Sequence, residues 1–78
     1  MGAPVIPLAA VPPGREVIAV AIRAGRGLTL RLMEMGILPG TRMRVLKPPP
    51  GPVVIEVRGA RLALGWGVAQ KILVQVVA

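Results

Sequence analysis

The sequence predicts a mostly β chain: a small, partly open barrel of about five strands, with one inserted short α-helix and a short helical turn before the last strand. Three observations predict it. Short alternating apolar segments recur along the 78 residues, separated by turns rich in Gly and Pro. One block, Arg31 to Gly40, replaces that alternation with helical spacing and a helical stop. Hydrophobic residues make up 54% of the chain and aromatics only 1%, so the core is built from Val, Ile, Leu, Met and Ala, which suits small-barrel packing better than a large cofactor pocket.

A chain this short is one domain and buries roughly 60 to 65% of its unfolded surface. Residues 1–7 read as a flexible, extended N-terminal tail, and 8–78 as the single domain. Leu8 and Val11 are apolar enough to lie against the body before Pro13-Gly14 turns into the first strand. In that strand, Glu16 to Ile22, the row Ile18, Val20 and Ile22 is expected to face the core, with Val17, Ala19 and Ala21 on a semi-buried second face. Arg23 to Gly27 is a loop. Leu28, Leu32 and Met35 then stand at i, i+4 and i+7, one inward stripe of a short helix. Gly36 follows as a left-handed stop, and Pro39-Gly40 as a turn with positive φ at the glycine.

The second strand, Thr41 to Lys47, points Met43 and Val45 inward and Arg42 and Arg44 outward. The link Pro48-Pro49-Pro50-Gly51-Pro52 can be neither helix nor ladder, so it closes a hairpin with the third strand, Val53 to Arg58. A turn centred on Pro50 sets Val45 opposite Ile55 and Met43 opposite Val57 inside, and Arg44 opposite Glu56 outside as a charge pair. Gly59 allows a tight reversal into the fourth strand, Ala60 to Leu64. Gly65 to Lys71 is long enough for a single helical turn, and Ile72, Val74 and Val76 face inward from the last strand. Five strands, one inserted helix and one helical turn in this order make a partly open barrel of the SH3-like kind.

The chemistry available is narrow. The chain has no His, Cys, Ser, Tyr, Asp or Asn, which removes most nucleophiles, general bases and metal ligands. Glu16, Glu34 and Glu56 belong to different elements and read as surface charges. No phosphate-binding glycine loop is present, so neither catalytic nor cofactor-binding nor metal-ligating residues are expected, and the chain is not expected to be an enzyme. The absence of cysteine excludes disulfides. Pro4, Pro7, Pro12 and Pro13 interrupt the uncharged opening stretch, no basic n-region precedes it, and the chain is read as soluble and cytoplasmic.

The formal charge of +7 is compatible with nucleic acid, anionic lipid or an acidic protein partner. The ten basic residues are dispersed along the sequence rather than clustered, which is the pattern of a solvated surface. The single aromatic, Trp66, argues against a nucleic-acid module, the alternative reading, because single-strand binders stack bases on several aromatic platforms. It argues equally against a peptide groove of the SH3 type, whose walls are aromatic.

The order Leu8, Gly14, then Arg31-Leu32, Gly36-Ile37 and Pro39-Gly40, then Pro52, Val57-Arg58-Gly59, Leu62-Ala63-Leu64, Ala69 and Ile72-Leu73-Val74 resembles the FeoA family of bacterial ferrous iron uptake. Two places depart from that pattern: Gly65-Trp66-Gly67-Val68 replaces more polar residues, and Gly51 stands where an acidic residue is common. The resemblance implies an SH3-like barrel and a non-enzymatic accessory or regulatory role. It also implies a partnership with FeoB, the membrane ferrous iron transporter with a cytoplasmic GTPase domain, at the inner face of the membrane. Self-association through an open edge strand is a further option.

Candidate partner-binding residues lie on the helix. With Leu28, Leu32 and Met35 inward, Leu30 and Met33 point outward beside Arg31 and Glu34, a docking spot with two apolar side chains in a basic surround. The alternative is that Val5, Ile6 or Leu8 of the N-terminal segment folds back over them. Trp66 either anchors a partner or plugs the barrel end beside Val68, with the plug favoured.

Overall fold

The computed structural model describes residues 3–78. The strands are β1 (Ile6–Pro7), β2 (Glu16–Ile22), β3 (Arg42–Lys47), β4 (Val53–Val57), β5 (Ala60–Leu64) and β6 (Ile72–Val76), and the helices are α1 (Arg26–Glu34) and α2 (Trp66–Ala69). All six strands form one antiparallel sheet in the order β1-β6-β2-β3-β4-β5, which curls around the core without closing. A 3₁₀ turn, Leu8–Ala10, packs against α2 across the open side. The partly open barrel expected from the alternation is therefore present, with one strand more than expected.

The extra strand is β1. Ile6 pairs with Val74 and Pro7 with Leu73, so the end of the segment read as a loose tail is a paired edge. It escapes a periodicity argument because two residues carry no period. Leu8 and Val11 go into the core as expected, joining Val17, Ala19, Leu32, Ile37, Met43, Val45, Val53, Ile55, Val57, Leu64, Ala69, Ile72 and Val74. This all-aliphatic core contains no buried polar or charged residue among those described.

In β2 the expected facing is inverted. Val17 and Ala19 are fully buried, whereas Val20 is exposed and Ile18 half-buried. The cause is a β-bulge: Ala19 pairs with Val74 and Ala21 with Leu73, so Val20 is the extra residue. Beyond it the alternation changes parity, and Ile22 returns to pack on the core opposite Ile72. Neither half of the strand could show this in isolation, because a one-residue insertion exchanges the two faces.

The Arg31–Gly40 block behaves as its spacing predicts, through geometry that can be followed bond by bond. Gly36 sits at φ +93°, its N–H donates to Met33 O (3.0 Å), and Ile37 N–H donates to Leu32 O (2.9 Å). This is a Schellman cap, and its apolar partners Leu32 and Ile37 are both buried. Leu38 to Thr41 then turns with Pro39 and Gly40 at the corner, and Thr41 N–H donates to Leu38 O (2.9 Å). Gly40 N–H donates to Ala19 O (2.7 Å) and Ala19 N–H to Thr41 O (2.9 Å), which fastens the turn to β2 immediately before its bulge.

The inward stripe of α1 needs one correction. Leu32 is buried and Leu28 is packed on the core edge, but Met35 is 40% exposed. Met35 is the C-cap: its backbone is still helical (φ −78°, ψ −1°), but it is the last position of the stripe, where the core covers it only in part. Between β4 and β5, Arg58 is also not a strand residue. It adopts φ +52° beside Gly59 at φ +80°, forming a two-residue turn of the mirror-image kind that matches strand twist.

Candidate functional site

The outward face of α1 carries Leu30 at 50% exposure and Met33 at 39%, together with exposed Arg31 and Glu34. Arg26 lies four residues before Leu30 on the same side of the wheel. With Met35 at the C-cap, three large apolar side chains are thus open to solvent along one short segment. The N-terminal segment does not cover them: Leu8 is fully buried in the core, Ile6 is held in the sheet, and Val5 is itself exposed. The folding-back alternative fails on these placements. Helix formation here owes little to N-capping, since Gly25 at the N-cap offers no side chain, and Thr29 Oγ1 donates instead to Ala24 O (3.2 Å). What holds α1 is its C-terminal cap and the insertion of Leu32.

Trp66 is 56% exposed, so it does not plug the barrel; Val68 and Ala69, on the other side of the same short helix, fill that position. Four residues make barely one turn, and with Val68 and Ala69 inward the first position is turned away from the core. Trp66 belongs to α2, whose main packing is with the 3₁₀ turn rather than with α1, so the five predicted residues do not form one compact patch.

The outward faces of β2 to β5 present a second feature, only part of which the sequence revealed. Glu16 is paired with Arg44, Arg44 with Glu56, and Glu56 with Arg61, giving a row of alternating charge across four strands. The Arg44–Glu56 register was expected from the hairpin, as was Val45 opposite Ile55, and both hold. The expected ion pair does not form. Glu16 takes both neighbouring arginines instead: Arg42 Nη1 donates to Glu16 Oε2 at 2.7 Å, and Arg44 Nη2 stands 3.6 Å from Glu16 Oε1. Arg44 also donates to Gly14 O (3.2 Å), which draws it towards β2 and away from Glu56. Glu16 joins the row through the β2–β3 register and Arg61 through the β4–β5 register.

Arg58 stands at the end of this surface. Its stem lies beside the helix stop, where a Cβ built on Gly36 would be 3.9 Å from Arg58 Cδ. Two shallow grooves meet at Arg42 and Arg58, one continuing over Arg44 and Glu56 and the other over Leu38 and Pro39. Among the described residues, no three metal-ligating side chains gather, so a metal held by protein side chains has no preformed cage there.

Comparison with known proteins gives one consistent answer. The FeoA domain model matches residues 6–76. A Methanocaldococcus jannaschii protein, provisionally named Fe(2+) transport protein A, is 44% identical over 69 residues, covering 88% of this chain and 84% of its own. The crystal structure of an iron uptake regulatory protein, FeoA, superposes with a TM-score of 0.86 at 36% identity, covering 95% of this chain and 99% of the other. A manganese-dependent transcriptional repressor contains the same fold at TM-score 0.86 and 25% identity, with 99% of this chain matching 44% of the repressor. With the helix–cap–turn block, the curled six-stranded sheet and the matched span in agreement, this chain belongs to the FeoA family, whose fold is SH3-like and whose members are associated with ferrous iron transport.

Proposed function

We propose that this protein is a non-enzymatic accessory of ferrous iron uptake that acts by docking through the outward face of α1 onto the cytoplasmic part of the membrane transporter FeoB. The observation that supports this reading is the solvent-open pair Leu30 and Met33, set among Arg26, Arg31 and Glu34 on a helix anchored from behind by Leu32. Apolar side chains left open together on one small helix face of a domain carrying +7 are the usual mark of a protein contact, and methionine adapts readily to a partner's surface. With only glutamate, lysine and threonine as reactive side chains, the chain contributes by contact, and GTP hydrolysis and metal passage belong to the partner. No described helix is long and apolar enough to cross a membrane; the place of action that this reading proposes is the cytoplasmic side of the bilayer, reached through the transporter.

The test is co-purification from membranes. Met33→Glu places an unpaired carboxylate in the apolar contact while leaving the core untouched, and it should abolish association with a normal circular dichroism spectrum. Leu32→Glu, at a fully buried position, should unfold the domain. A folded Met33→Glu protein that still co-purifies with the transporter would remove α1 as the docking face.

A further inference from the structure

The sheet ends differently on its two sides. On one side the last strand is β1, two residues long and closed by Pro7, which has no N–H to offer a further strand. On the other it is β5, five residues without proline, paired to β4 with no bulge. The two-residue turn at Arg58-Gly59 makes Val57 and Ala60 a hydrogen-bonded pair, so Ala60, Leu62 and Leu64 bond to β4. Arg61 and Ala63 therefore direct their N–H and C=O groups to the open side. None of these four groups has a hydrogen-bond partner among the described residues.

The charge row ends on this same strand. It runs Glu16, Arg44, Glu56, Arg61, and the next position, beyond β5, would continue the alternation with an acid. Arg61 makes no ion pair within the described residues, although Glu56 is directly opposite. A second copy of the chain would fit poorly, because antiparallel β5 strands would bring two Arg61 side chains onto one face of molecules that each carry +7.

We propose that the free edge of β5 accepts an extended acidic segment of a partner protein as a seventh, antiparallel strand, with a carboxylate opposite Arg61. The registration fixes the pattern of that segment. Residues opposite Leu64 and Leu62 share the core side of the sheet and are apolar, the residue opposite Ala63 is unrestricted, and the residue opposite Arg61 is Asp or Glu. Read from its N-terminus, the segment is apolar, any, apolar, acidic. This does not rest on the role of α1, which lies on a different element.

The experiment is a titration of the whole protein with a capped peptide containing Val-Thr-Val-Glu, and with its twin in which Lys replaces Glu, each to about 1 mM, the range of weak strand addition. Amide exchange reports on Arg61 and Ala63, and fluorescence of the single Trp66 gives the affinity. The Glu peptide should bind saturably, protect the two outward amides, and bind roughly tenfold more tightly than its twin, the size expected for exchanging an attractive cross-strand pair for a repulsive one. Arg61→Glu should reverse that preference. Ala63→Pro, which removes an outward donor and none of the bonds to β4, should abolish binding. Should Ala63→Pro fail to fold, the Arg61→Glu reversal decides alone. Equal binding of the two peptides, unprotected Arg61 and Ala63 amides, or a concentration-dependent dimer sealed through this edge would each overturn the proposal.

Discussion

At Gly36 the chain needs φ +93°, and the cap that follows joins α1 to the core through Leu32 and Ile37. Space is not the constraint there, since an added Cβ would meet only Arg58 Cδ at 3.9 Å. The backbone angle is, and a β-branched side chain resists it most. Gly36→Val is therefore expected to lower stability by about 1 kcal/mol or more, read as a fall in Tm. An unchanged Tm would mean that the helix ends without a left-handed residue. Glu56 tests the opposite case, a charge with neighbours but no ion pair, flanked by Arg44 and Arg61 in the row. Glu56→Lys sets three cations side by side on an exposed face, which should cost less than about 1 kcal/mol and shrink further in about 1 M salt, where screening reaches within about 3 Å. A larger loss, insensitive to salt in chemical denaturation, would show that Glu56 is buried in solution.

Elements differ in how plainly the sequence declares them. The β3–β4 hairpin was legible at its centre, Arg44 opposite Glu56 and Val45 opposite Ile55, because that arrangement buries the two apolar faces together; next to the proline-rich link a bulge at Leu46 sets Lys47 opposite Val54, where an unbroken ladder about Pro50 sets it opposite Val53. The helix stop was legible because glycine has few other reasons to follow a helical stripe. The bulge at Val20 was not, since its cause is non-local: the turn Leu38–Thr41 clamps Ala19 from β3's side while β6 sets the register from the other. In the candidate site, the outward position of Leu30 and Met33 followed from the helical period, whereas Met35 and Trp66 sit at element ends, where the period does not say how far the core extends to cover them. β1 was missed for its brevity, and its contribution can be measured by truncation. Removing residues 1–7 deletes the two β1 pairings and the bond from Gln75 Nε2 to Ala3 O, and should cost about 1 to 2 kcal/mol with the domain still folded. Removing residues 1–11 also takes away Leu8 and Val11, both buried, at about 1.5 to 3 kcal/mol each, which is most of the stability of a domain this small. Urea denaturation of the two truncations should show one shifted transition and one protein with none.

At the scale of the whole molecule, the donor set limits what the protein can do with iron. Three glutamates on separate elements, one of them already engaged by Arg42 and Arg44, and no imidazole or thiolate, give Fe(II) nothing to chelate. Anaerobic calorimetry with Fe(II) should show no saturable heat in the micromolar range, and a stoichiometric signal would refute this. The architecture also sets how such a domain can assemble. A sheet open at both ends can add copies head to tail without limit, the geometry of fibres. Here one end is a two-residue strand stopped by Pro7, so any chain of additions stops after the first. Pro7 and the brevity of β1 thereby limit the sheet to a valence of at most one: whatever strand β5 accepts, the sheet cannot polymerise through it.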